Sequence, residues 1–186
     1  DHGPKAAWLI LSLDKEFVKK RFREASTSGQ GSVVRDQELS KITFLKKPEI
    51  FSIDPELAKK FPSVTVGTAI IKGVKIQKEN SELEKEKESL LKSLESLTTE
   101  QLGLEPEIIS YRKLYKETGV DWHSRRPSPE ALLRRGALKK GLYKINTVVD
   151  AYNLVVMKRR ISIGAFDLDK VEFPTVLRLA KTGEEI

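Results

Sequence analysis

The chain has 186 residues, 39% of them hydrophobic and 33% charged, which is too apolar for a disordered chain and too polar for a membrane protein. Its longest apolar run, Ala6 to Leu11, falls far short of the roughly 20 residues that cross a bilayer and lacks the flanks of a secretory signal. Cysteine is absent and only His2 and His123 occur, so disulfides, cysteine-bound zinc and a histidine-rich metal site are excluded, and the expected setting is cytoplasmic.

In chain order, Trp8 to Leu13 reads as a short strand or a buried helical turn. Asp14 is placed to cap a helix reaching about Ala25, with Phe17, Val18 and Phe22 on one face. Ser26 to Ser32 has the composition of a flexible linker. Residues 1–40 are therefore expected to be an N-terminal appendage and linker, and residues 41–186 a domain. Ile42 to Leu45 suits a strand that Lys46, Lys47 and Pro48 end, and Pro55 opens a short helix to Lys60. Val64 to Ile76, dense in β-branched residues, predicts a strand. Ser81 is the expected cap of the next helix, with Leu83, Leu90, Leu91, Leu94 and Leu97 as its apolar stripe. The charged block Glu84 to Glu88 is expected to be a solvated face.

Pro106 opens a helix to about Thr118, which Gly119 stops. Ser128 is the expected cap of a further helix, with Pro129 at its first position and Leu132 and Leu133 as anchors. Asn146 caps another, on which Val148, Val149, Tyr152, Val155 and Val156 recur at helical spacing. Asn146, Asp150 and Asn153 fall along one edge beside those valines. Strands are expected over Ile161 to Phe166 and Thr175 to Ala180, the second just after Pro174. Strands early, helices in the centre and strands late make a mixed α+β domain of the α/β class.

The net charge of +7 is concentrated. Between Trp122 and Arg160 ten basic residues (Arg125, Arg126, Arg134, Arg135, Lys139, Lys140, Lys144, Lys158, Arg159, Arg160) face only Glu130 and Asp150, so this stretch holds +8 and the remainder −1. Such a patch is either a solvated face or a site for a polyanion such as RNA. Trp122 and His123 beside Arg125 and Arg126 admit two readings: a base stacked on the indole with phosphates on the arginines, or a buried tryptophan anchoring the loop. Asp167 and Asp169 share a face if the strand runs through them, which suits a hard cation or simply a wet strand end. Phosphate-binding loops, dinucleotide fingerprints and a nucleophile elbow are absent, and no cofactor is expected.

The segment Lys144 to Val155, with Asn146-Thr147-Val148-Val149-Asp150-Ala151-Tyr152-Asn153 at its centre, resembles a signature of the B3/B4 domain of the phenylalanyl-tRNA synthetase beta chain. The similarity continues through Ile163-Gly164-Ala165-Phe166-Asp167-Leu168-Asp169-Lys170. Upstream, Tyr111 to Tyr115 and Arg126 to Arg135 look like stand-alone relatives of that domain, and the similarity spans about residues 42–186. The resemblance implies a tRNA or aminoacyl-tRNA partner and, as an activity, hydrolysis of a mischarged aminoacyl ester by positioned water. A non-catalytic RNA-binding module, or a structural appendage of a larger synthetase-like protein, is the alternative. It further implies a pocket shaped by Asn146, Asp150, Asn153, Gly164 and Asp167, with phosphates held by Arg125, Arg126, Arg134, Arg135, Lys139 and Lys140. The family's pocket histidine falls at Gly164, and its tyrosine-recognising acidic residue lies beyond Ile186, so further strands are expected past that point. All of this requires the helix after Asn146 and the strand through Phe166 to be neighbours in one core.

Overall fold

The computed structural model describes residues 6–12, 42–45, 50–71 and 74–184. The chain divides into two compact units, Asp1–Gly73 with Phe166–Ile186, and Val74–Ala165. The expected helix from Asp14 and the linker at Ser26 to Ser32 lie outside the described residues.

In the first unit the long strand expected after Val64 is β4 (Thr65–Ile71). It pairs antiparallel with β1 (Ala6–Ser12), Ala6 opposite Ile71 and Ser12 opposite Thr65. Its other edge pairs antiparallel with β2 (Ile42–Leu45), Ile42 opposite Ile71. Residues 6–12 thus form a strand that pairs along its length with the 41–186 segment, although they lie in the stretch expected to be an appendage. The strand is shorter than expected, since Val74 to Ile76 are not extended into the ladder. A separate parallel pair joins β3 (Phe51–Ile53) to β6 (Thr175–Leu177), in register from Phe51 and Thr175. Helix α1 (Pro55–Lys60) begins at once, because Asp54 Oδ1 accepts from Glu56 N at 2.9 Å and Leu57 N at 3.2 Å. Asp54 N in turn donates to Leu177 O at 2.9 Å, which ties the helix start to β6. β5 spans Ser162–Asp167, and the boundary between the units falls inside it, between Ala165 and Phe166.

The second unit is built from helices: α2 (Ser81–Ser93), α3 (Thr99–Gly103), α4 (Pro106–Glu117), α5 (Ser128–Ala137) and α6 (Thr147–Arg159). The cap of α2 is Asn80 instead of Ser81; its Oδ1 accepts from Glu82 N at 3.0 Å and Leu83 N at 3.1 Å. Two adjacent short polar residues compete for that role, and the extended backbone at Asn80 decides it. At α5, Pro127 takes the cap position and Ser128 enters the helix, where its hydroxyl meets Ser162 Oγ at 3.1 Å. Helix α3 carries a capping box, Gln101 N donating to Thr98 Oγ1 at 3.1 Å and Thr98 N to Gln101 Oε1 at 2.9 Å.

Leu90, Leu94, Leu102, Ile108, Leu132, Leu133, Leu154, Val156 and Met157 make one core, against which Leu83, Leu97, Tyr152 and Ile163 pack. Helix α6 keeps part of the expected valine face, with Val156 buried and Tyr152 against the core, but Val155 is exposed and Asp150, Leu154 and Met157 are buried as well. Arg160, left-handed at φ 55°, ends α6, and its guanidinium binds Glu105 at 2.9 and 3.1 Å. Ile163 therefore puts the start of β5 in the same core as α6, while Phe166 is exposed and belongs to the other unit.

Candidate nucleic-acid interface

Leu132 and Leu133 turn α5 inward, which leaves Arg134 and Arg135 in its last turn, where cations favour the negative end of the helix dipole. The chain then reverses through Lys139 (φ 55°) and Gly141 (φ 64°), with Lys140 N donating to Arg135 O at 3.0 Å. That reversal brings Tyr143 back over Arg135, whose guanidinium sits 4.0 Å from the ring centroid. A guanidinium hydrogen bond, from Arg135 Nη2 to Lys140 O at 3.0 Å, fixes the arrangement. The result is an open groove of about 370 Å³, lined in part by Arg126, Arg134, Arg135, Leu138, Lys140 and Tyr143, with no carboxylate among its lining residues.

The acid nearest this groove in sequence is already satisfied. Glu130 is 1% exposed and holds Arg112 in a two-pronged pair, Oε2 to Nε at 2.9 Å and Oε1 to Nη2 at 2.8 Å. Arg126 Nε lies 3.5 Å from the same carboxylate and its Nη1 donates to His123 O at 3.2 Å. Hydrogen bonding to Glu130 drives Arg112 further toward its charged form, despite the opposing effect of burial. Arg112 also covers the Trp122 ring at 4.2 Å, and Trp122 stacks on His123 with centroids 3.6 Å apart. Trp122 is half-buried, held over the Arg112–Glu130 pair, and His123 is exposed.

Of the six basic residues expected at phosphates, Arg126, Arg134, Arg135 and Lys140 line this groove. Arg125 and Lys139 are exposed but do not line it.

Of the residues expected to shape a pocket, Asn146, Asp150 and Asp167 accept hydrogen bonds from within the chain. Asn146 Oδ1 caps α6, accepting from Val148 N at 3.1 Å and Val149 N at 3.0 Å. Asp150, 3% exposed, accepts from Lys87 Nζ at 2.7 Å and from Ile145 N at 3.1 Å. Asn153 and Gly164 are half-buried, on α6 and β5. Asp167 lies in the first unit, where its Oδ1 accepts from Asp169 N at 3.1 Å and caps a single 3-10 turn, Leu168–Lys170. The strand ends at Asp167, so Asp167 and Asp169 do not alternate on one strand face as a shared cation site requires. Among the described residues no cluster of three or more histidines or acids is placed to hold a metal ion.

Lys87 was expected in a solvated block and is instead only 4% exposed. It also donates to Glu84 Oε1 at 2.9 Å and Tyr143 O at 3.3 Å. Burial lowers its pKa, but the hydrogen bonds that Lys87 donates to Asp150 and Glu84 outweigh that and leave it raised. Hydrogen bonding to Lys87 holds Glu84 below the usual carboxylate range. Tyr143 O is thus anchored from below at the edge of the groove.

Residues 110–186 match the family model of the B3/4 domain, a shorter span than the 42–186 expected from resemblance. The match takes in α5, the groove, α6 and β5. No curated protein and no solved structure gives a match. No helix among the described residues is long and apolar enough to cross a membrane. The B3/4 domain is a family associated with the phenylalanyl-tRNA synthetase beta chain. Over residues 110–186 the chain is thus similar to the B3/4 domain.

Proposed function

We propose that this chain binds tRNA or aminoacyl-tRNA through the groove beside α5. The observation that carries the reading is the convergence of Arg126, Arg134, Arg135 and Lys140 on one concave surface that no carboxylate lines. A cationic concavity focuses its field on a polyanion and raises the rate of encounter. The association of the matched family with a tRNA synthetase chain supports RNA as that polyanion.

Binding is favoured over hydrolysis of a mischarged aminoacyl ester by the duties of the motif residues. Asn146 and Asp150 spend their oxygens on backbone N–H groups and on Lys87, away from any water they would have to position. Ester hydrolysis remains the second reading, supported by the family association and tested by incubating the chain with mischarged tRNA.

The test of the binding reading is the salt dependence of tRNA affinity for the wild-type chain and for Arg134→Ala/Lys140→Ala. Each lost phosphate contact lowers the slope of log K against log salt by about 1. The double variant is expected to bind more weakly with a slope shallower by about 2. An unchanged slope removes the groove from the interface.

A further inference from the structure

We propose that the groove takes unpaired nucleotides, a base lying against Tyr143 and Leu138 while Arg134 and Lys140 hold the flanking phosphates. This deepens the binding reading above and rests on it. The argument starts from what the groove contains besides charge. Tyr143 is 53% exposed and Leu138 is also exposed, yet both sit among four cations. A double-helical partner gives such apolar groups nothing to cover, because its bases are stacked inside and a protein meets phosphates and 2′-hydroxyls. An unpaired nucleotide offers both halves of the match, a flat base and an anionic phosphate.

Pre-organisation points the same way. Arg135 lies on Tyr143 at 4.0 Å and is tethered to Lys140 O at 3.0 Å, so the ring is held before any ligand arrives. Lys87 fixes the backbone of Tyr143 through its carbonyl at 3.3 Å. Arg135 is thereby committed to the platform, and the phosphate-holding role falls to Arg134 and Lys140. The volume of about 370 Å³ also fits. Sites that enclose one small organic group run from roughly 300 to 1,000 Å³. A single base and its sugar enter such a groove, whereas a double helix only lies across its mouth.

The experiment is a set of anisotropy titrations at fixed salt with the full chain, a mixed-sequence single-stranded RNA, a blunt duplex of the same sequence, and tRNA. The single strand is expected to bind at least about ten-fold more tightly than the duplex. Tyr143→Leu is expected to weaken single-strand binding about ten-fold without changing its salt slope, as loss of a stacking contact does. Tyr143→Phe, which keeps the ring, is expected to bind as the wild type. Duplex binding as tight as single-strand binding, or Tyr143→Leu binding like the wild type, overturns the proposal and leaves tRNA binding standing. Failure of every RNA to bind overturns the tRNA reading together with it. If Tyr143→Leu does not fold, the single-strand to duplex ratio in the wild type decides alone.

Discussion

Asp150→Ala removes the carboxylate against which Lys87 is buried. The Lys87 side chain is 5% exposed and that of Asp150 2%, and they meet at 2.7 Å. Breaking a buried pair by deleting one partner typically costs about 3–5 kcal/mol, because the other charge is left without compensation. Here Glu84 at 2.9 Å and Tyr143 O at 3.3 Å still face the ammonium, so the cost is expected at the low end of that range. Ile145 N also loses its acceptor, which loosens the chain just before α6. Urea unfolding followed by the far-UV helix signal measures this well, since α2 to α6 all lie in Val74–Ala165. Lys87→Met/Asp150→Leu, which replaces both charges by apolar groups, is expected to recover to within about 1 kcal/mol of wild type. Because the Lys87 pKa is raised in the folded state, its contribution is complete below the ordinary value of 10.5 and is lost as pH climbs through the folded value. A cost for Asp150→Ala below about 1 kcal/mol, the range of exposed ion pairs, refutes the reasoning.

Two further outcomes follow from local geometry. Asn146→Ala deletes the cap of α6 and is expected to cost about 1 kcal/mol in the same unfolding assay, whereas Asn146→Asp keeps the acceptor and most of the stability. Equal losses for both variants show that capping is not what Asn146 does. In the first unit, hydrogen bonding to Arg178 lowers the Glu184 pKa to about 2. The stabilisation of that turn is present above the ordinary carboxylate value of 4.5 and fades as pH falls toward 2, which an NMR titration of the Glu184 carboxyl reads directly. A midpoint near 4.5 contradicts the pairing.

Much of the fold is legible in the residues themselves. β2 falls at Ile42–Leu45 as expected, α1 starts at Pro55 as expected, and Asn146 caps α6 as expected, because each depends on a short local signal. The capping box at Thr98 and Gln101 is equally local and marks α3, but five residues are too few for apolar periodicity to reveal that helix. β3 has no such signal: three residues become a strand only because β6, over a hundred positions later, supplies the partner.

The buried face of α6 departs from the valine pattern for a related reason. Asp150 counts as polar in any pattern, so the valines look like the inward side; Lys87, 63 positions away, neutralises it and lets that face be buried. The same long-range pairing hides Lys87 within a run of charges that reads as solvated. The groove was half legible: its charges stand in the sequence, but the reversal at Lys139 and Gly141 that sets Tyr143 on Arg135 is a matter of backbone geometry.

Hydrogen–deuterium exchange of the full chain, with and without tRNA, tests the account most directly. Slowed exchange is predicted across residues 124–143, which span α5 and the reversal carrying Lys140 and Tyr143. Protection that appears only elsewhere in the chain, with residues 124–143 exchanging as freely in the complex as alone, contradicts it.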